Sequence, residues 1–332
     1  MPETLFRAAL HDALLEEMER DDSIFLIGED IGLFGGAYRV TDGLLDRFGP
    51  MRVVDTPIAE EVIVGCAIGA AMSGLRPVVE MMTINFSLLA YDQIVQNAAK
   101  IHYMFGGKVS VPMVVRLPGG AGHQLSSQHS HSFEALYAMI PGLLVVAPTT
   151  PEDAKGLLKS AIRTDNPVMF LESMSLYNLR GEVPEGDYTT PIGRAALRRP
   201  GTDLTIIGVS RQAVLAGIAA QRLEEEDVDA EVIDLRSLRP IDWPTLLDSV
   251  RRTNRCLVVE EGWSTYGVGA ELVAGLQDRA FDDLDGPIRR LGGAEVPMPY
   301  NKELERAAIP AVDDIVREAL RVVGKRAAVA AV

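Results

Sequence analysis

Val54-Asp55-Thr56-Pro57-Ile58-Ala59-Glu60 carries the chain out of an apolar strand, through a turn, and into a helix that opens on an acid. The helix continues as Glu61-Val62-Ile63-Val64-Gly65-Cys66-Ala67-Ile68-Gly69-Ala70-Ala71. Thr56 is placed to cap it, and Pro57 fits a first helical turn, where its missing N–H costs nothing. An acid in that turn suits the positive end of the helix dipole. Helix-start chemistry alone would account for Glu60. Two further features point to reactivity. The apolar run begins directly after the acid, which puts the carboxyl at the edge of a buried surface. Gly65, Gly69 and Ser73 share one helix face, so another backbone could approach closely. A carboxyl beside a dry surface is a group that enzymes use to give or take a proton near neutrality.

Outward from this stretch, short apolar runs alternate with helical patterns. Strands are expected at Ile24–Ile27, Val53–Val54, Val78–Met82, Met113–Arg116, Leu143–Val146 and Val168–Leu171. Phe6, Leu10, Leu14 and Met18 predict an amphipathic first helix with Thr4 as its cap, and Pro151-Glu152-Asp153 opens another. Periodicity fades from about Ser173 to Gly201, where Gly and Pro recur. A second series follows, with strands at Leu204–Val209, Ala230–Leu235, Cys256–Val259 and Ile288–Leu291. Apolar strands alternating with helices predict parallel sheets covered on both faces, in two α/β domains.

The 332 residues carry a net charge of -15, which argues against nucleic acid or an anionic membrane as the main partner. No apolar stretch is long enough to span a bilayer. Cys66 and Cys256 both read as buried thiols, and no CxxC spacing occurs, so a reducing compartment is expected. The N-terminus carries no signal-type segment. A cytoplasmic protein fits, as does an organelle-matrix protein after leader removal.

Four of the five histidines, His102, His123, His129 and His131, fall within thirty residues, three of them after Pro118-Gly119-Gly120-Ala121-Gly122. A structural metal is disfavoured, because H-E-x-x-H is absent and no acid precedes Glu134 in the loop. His131 is expected to cap a turn or face solvent. Met82 and Phe86, in Glu80-Met81-Met82-Thr83-Ile84-Asn85-Phe86, read as core residues on burial preference alone. Ala161-Ile162-Arg163-Thr164-Asp165-Asn166-Pro167 reads as a helix end turning into a strand.

The helix at Glu60 resembles the pyrimidine-side half of a thiamine diphosphate site. The likeness continues through Gly74-Leu75-Arg76-Pro77, Asp92-Gln93-Ile94, Asn97-Ala98-Ala99-Lys100, Gln128-His129-Ser130 and Pro141-Gly142-Leu143. Asp153-Ala154-Lys155-Gly156-Leu157, Asp234-Leu235-Arg236-Ser237-Leu238-Arg239-Pro240 and Pro297-Met298-Pro299-Tyr300 complete the set. Together they resemble the beta subunits of the pyruvate dehydrogenase component of 2-oxo acid dehydrogenase complexes. The resemblance implies a transketolase-like pyrimidine-binding domain over 1–185, a linker over 186–201, a transketolase C-terminal-like domain over 202–324 and a flexible tail over 325–332.

The same resemblance implies roles for single residues. Glu60 would hydrogen-bond the pyrimidine ring nitrogen of thiamine diphosphate, Phe86 would stack on that ring, and Met82 would line its pocket. His129 would assist acyl transfer to a lipoyl group, with His123 lining the approach. Backbone carbonyls of Met113, Ala161, Ile162, Thr164 and Asn166 would hold a monovalent cation such as K+. Gly-Asp-Gly followed by an Asn pair, which carries Mg2+ and the diphosphate in thiamine enzymes, is not found; Gly186-Asp187-Tyr188 differs from it. An alpha subunit is therefore expected to supply the Mg2+ side in an α2β2 heterotetramer, with a dihydrolipoamide acyltransferase core as the further partner. Pyruvate is the expected substrate, and branched-chain 2-oxo acids or acetoin stay open. So does a different class, a non-catalytic dinucleotide-binding electron-transfer subunit, because Gly267-Val268-Gly269-Ala270-Glu271-Leu272 approximates a dinucleotide turn.

Overall fold

The computed structural model describes residues 3–325; the expected tail from 326 onward lies outside them. The described residues divide into two units, one of residues 3–120 and 136–192, the other of residues 121–135 and 193–325. The histidine loop thus groups with the C-terminal residues. Ala196–Arg199, inside the span expected as a linker, forms a strand of the second unit.

In the first unit the strands run in the order Val53–Asp55, Ile24–Gly28, Arg76–Glu80, Val114–Gly119, Val168–Ser173, Leu144–Val146, and adjacent strands are parallel. Val and Ile at both faces of these short strands leave nearly every position buried, as a sheet covered on both sides requires. The helix Phe6–Arg20 buries Phe6, Leu10, Leu14 and Met18 and packs on the helix Pro151–Arg163, whose Thr150 side chain caps Asp153 N. Thr4 is not the cap of the first helix. It lies in the strand Glu3–Leu5, paired with Gly181, and Leu5 precedes the helix without a side-chain cap.

In the second unit a five-stranded sheet runs Arg289–Gly293, Cys256–Trp263, Leu204–Gly208, Ala230–Asp234, Ala196–Arg199, antiparallel only at the last pair. Leu204, Ile206, Val232, Leu257 and Val259 meet Ala216, Ala220 and Leu223 of one helix and Ile315, Ala319 and Leu320 of another. Cys256, on the same strand as Leu257, is also buried, and burial pushes its thiol up to about 12. Cys66, expected to be buried, is exposed: it lies on the outward face of its helix with Val62.

Candidate active site

The strand order decides where a ligand can sit. From Ile24–Gly28 the chain goes to the strand on one side and then returns to Arg76–Glu80 on the other. The crevice beyond the carboxyl ends of strands at such a reversal is the usual ligand site of open α/β sheets. Gly28 pairs in register with Asp55 on one side and Glu80 on the other. The residues just past these three ends are Glu29, the turn leading to Glu60, and Met82 to Phe86.

Glu60 begins the helix Glu60–Met72 and is 6% exposed. The turn before it differs from expectation. Ala59 precedes the helix, so Thr56 and Pro57 stand outside its first turn, and no side chain caps it. Thr56 Oγ1 is buried without a hydrogen-bond partner among the described residues. Among the described residues no backbone approaches the glycine face: Gln93 alone comes near Gly65, and nothing lies within 4 Å of where a Cβ would stand on Gly69.

Sequence reading missed the neighbour of Glu60. Glu29 is 7% exposed, and its Oε1 is buried without a hydrogen-bond partner among the described residues. Burial raises its pKa, and the charges of Glu60 and Asp30 raise it further. The only sequence signal was an acid directly after an apolar strand ending in glycine. Met82 and Phe86 are half-buried on the segment after Glu80; the 3-10 turn Ile84–Leu88 carries Phe86, whose N–H donates to Thr83 O at 3.2 Å. The segments beyond these strand ends therefore carry one carboxylate at a helix N-terminus, a second with an unmet oxygen, a thioether and an aromatic ring.

Beneath it lies a buried ion cluster that the sequence did not announce. Arg116 Nε and Nη2 donate to Glu172 Oε1 and Oε2 at 2.7 and 2.8 Å, and Nη1 donates to Glu80 Oε2. Tyr177 Oη donates to Glu172 Oε2 at 2.8 Å and its ring packs on Tyr38, 5.1 Å between centroids. Burial raises the Glu80 pKa, the Arg116 charge opposes this, and Glu172 adds to it. A Cβ on Gly36 would stand 2.8 Å from Glu80 Oε1, so the loop after Glu29 rests directly on this cluster. Asp55 holds the same loop through Gly32 N at 2.6 Å and Leu33 N at 3.3 Å.

Three of the five expected cation carbonyls, those of Met113, Ile162 and Thr164, are engaged within the chain. Arg76 Nη1 donates to Ile162 O at 3.0 Å and to Thr164 O at 2.9 Å, while Nη2 pairs with Asp165 at 2.5 Å. Met113 O accepts Val168 N at 2.9 Å. Ala161 is buried, and Asn166 donates its amide to Thr164 Oγ1 at 3.2 Å. A guanidinium thus already sets positive charge against two of the five carbonyls.

His129 belongs to the other unit, on the loop between Ala121 and Ser132, with its N–H donating to Ser126 O at 3.3 Å. Gln124 and Ser126 take φ of 54° and 67°, a left-handed conformation that costs non-glycine residues about 1–2 kcal/mol each. Carboxylates hold the loop in that shape. Glu305, 1% exposed, accepts Gly122 N at 2.9 Å, Gln124 N at 3.1 Å and Gln124 Nε2 at 2.6 Å. Glu261 Oε1 accepts Ala121 N at 2.7 Å and Ser132 Oγ at 3.1 Å, joining the two ends of the loop. His123 is exposed near Glu305. His131 does not face solvent freely: it stacks on Phe133 at 4.3 Å and meets the Trp263 edge at 5.9 Å. Burial, followed by the charge of His129, lowers its pKa.

The dinucleotide reading loses its support here. Gly269 N, at the start of the helix Val268–Ala280, donates to Glu260 Oε2 at 3.1 Å, and a Cβ on Gly267 would meet the same carboxylate at 2.4 Å. A buried carboxylate fills the place where a diphosphate would need backbone N–H groups. Burial pushes Glu260 up to about 7.

Two family models match the chain: "Transketolase, pyrimidine binding domain" over residues 3–180 and "Transketolase, C-terminal domain" over residues 193–315. They define its class, a transketolase-like chain of two domains. The pyruvate dehydrogenase E1 component subunit beta of Rickettsia felis is 48% identical over 316 residues, covering 95% of this chain and 97% of the relative. The mitochondrial beta-2 subunit of Oryza sativa subsp. japonica is 49% identical over 323 residues, covering 96% and 86%. The mitochondrial subunit beta of Dictyostelium discoideum is 48% identical over 324 residues, covering 96% and 91%. The chain belongs to this family of E1 component beta subunits within the thiamine diphosphate-dependent transketolase-like proteins. Among solved structures, one titled "Split gene transketolase, inactive beta4 tetramer" superposes with a TM-score of 0.79 at 21% identity, over 97% of this chain and 99% of that one; the likeness concerns the fold alone. Among the described residues no helix is long and apolar enough to cross a membrane.

Proposed function

We propose that the chain is the beta subunit of a pyruvate dehydrogenase that works with an alpha subunit, as α2β2, and passes acetyl units to lipoyl groups of an acyltransferase core. The observation that carries this reading is Glu60: a buried carboxyl at a helix start, beyond the strand ends at the sheet's reversal point, beside a second carboxyl with an unmet oxygen. The residues of the crevice fit an aminopyrimidine. Glu60 would accept or share a proton with a ring nitrogen, Phe86 would cover the ring face, and Met82 would fill the remaining wall. Thiamine diphosphate, when bound, supplies the electron sink for decarboxylation. The chain's own task is to hold the ring, to keep water from it with Met82 and Phe86, and to fix the proton at the ring nitrogen through Glu60. His129 would serve the later transfer to the lipoyl thiol. K+ would lie at the carbonyls of Met113, Ala161, Ile162, Thr164 and Asn166, two of which also accept the Arg76 guanidinium. The diphosphate and Mg2+ would be held on the alpha side.

Calorimetry with and without the alpha subunit tests this division. The chain alone, titrated with thiamine diphosphate and Mg2+, is expected to give no saturable heat, and the assembled complex to bind in a Mg2+-dependent way and turn over pyruvate. Tight Mg2+-dependent binding by the chain alone would overturn the shared-site reading.

A further inference from the structure

Glu305 stands far from the candidate crevice in sequence, on the short helix Lys302–Ala308, and no part of the proposed chemistry uses it. Its burial is unusual for a glutamate, and among the described residues its carboxylate accepts hydrogen bonds from one segment. Both oxygens take N–H groups from Gly122 and Gln124, and the Gln124 side-chain amide adds a short bond. A charged carboxylate that accepts several N–H bonds is stabilised by them and in turn fixes the donors. Its pKa reports the balance: burial would raise it, but the bonds from Gln124 and Gly122 hold it below the usual carboxylate value.

The donors lie where the loop is least able to hold itself. Gly122, Gln124 and Ser126 all take positive φ, and Gln124 and Ser126 have no glycine freedom to do so. Glu261 accepts bonds at the two ends of the loop, from Ala121 N and Ser132 Oγ. Glu305 thus holds the turn that leads into Ser126, whose O accepts the His129 N–H.

We infer that Glu305 is a positioning residue for the histidine loop: it fixes the turn at Gly122–Gln124 and through it the place of His129 in acetyl transfer to a lipoyl group. The inference rests on the role proposed above for His129, and its test separates the two.

Glu305→Gln and Glu305→Ala are made in the alpha–beta complex, alone and combined with His129→Ala. Decarboxylation is followed with an artificial electron acceptor and transfer with a lipoyl domain. Amide hydrogen exchange of 121–132 is measured on the same complexes. Glu305→Ala is expected to speed loop exchange at least tenfold and to slow lipoyl transfer at least tenfold, with the acceptor assay within twofold. Glu305→Gln, which keeps the shape and can still accept two N–H bonds, should lose less. The double variant should be no slower in transfer than His129→Ala, since both act on one group. Unchanged exchange, equal losses in both assays, or losses that multiply in the double variant would overturn the inference. If His129→Ala alone leaves transfer intact, the His129 role falls, and the exchange result still decides whether Glu305 holds the loop.

Discussion

Arg116 and Glu172 form a two-bond fork, 2.7 and 2.8 Å, wholly buried between neighbouring strands beneath the candidate crevice. Glu80 takes the remaining edge of the guanidinium, so two carboxylates face one cation. Removing one partner of such a cluster strands charge that cannot reach water. Arg116→Met should cost about 3–5 kcal/mol of stability, read as a lower urea midpoint. Because Met82 and Phe86 follow Glu80 directly, cofactor affinity in the assembled complex should fall with it. A change under about 1 kcal/mol would mean the cluster is not the buried, charged unit described.

Glu60→Gln should abolish pyruvate decarboxylation in the complex and leave the fold intact. The amide nearly matches the carboxyl in shape but cannot exchange the proton. As a helix-start acid alone, Glu60 would contribute only about 0.3–1 kcal/mol. Near-normal turnover by the variant, measured with the alpha subunit present, would sink the assignment.

His129→Ala should slow transfer to the lipoyl domain by about 10²–10⁴, the usual span of one acid–base group, with little effect on the artificial-acceptor rate. Equal slowing in the two assays would place His129 elsewhere in the reaction.

Arg76→Ala frees the carbonyls of Ile162 and Thr164 at the end of the helix Pro151–Arg163. Hydrogen bonds to a charged donor contribute about 1.5–3 kcal/mol, so the melting temperature should drop. If these carbonyls with Met113, Ala161 and Asn166 form a cation site, K+ should restore more stability to the variant than to the parent, and more than Li+ does. No difference between the two ions would remove the cation from the proposal.

Glu134 gives a pH signature. Burial, helped by the charges of Glu261 and Glu260, pushes it up to about 8, above its ordinary value of 4.5. The folded chain therefore keeps a proton that the unfolded chain has released. The stabilising contribution is complete below about pH 4.5 and is lost as pH rises toward 8, with a slope of at most about 1.4 kcal/mol per pH unit. Glu134→Gln should flatten the stability profile between pH 5 and 8 and be the more stable protein above it. Parallel profiles would show that Glu134 titrates normally.

The sequence by itself determined the alternation of strands and helices, because burial on both sheet faces demands continuous apolar runs of a length that can be read directly. It also marked Glu60, where an acid meets an apolar helix, and the ordered motifs that tie the chain to its family. Tertiary structure alone decided which acids meet. Glu29 and Glu60 are brought together by strand order, Arg116 gathers Glu80 and Glu172 across three adjacent strands, and Glu305 closes on Gln124 from 181 positions away. The exposed Cys66 and the uncapped helix at Ala59 differ from expectation for the same reason. Local pattern gives a residue's period, but its partners are set by register, crossover and close packing.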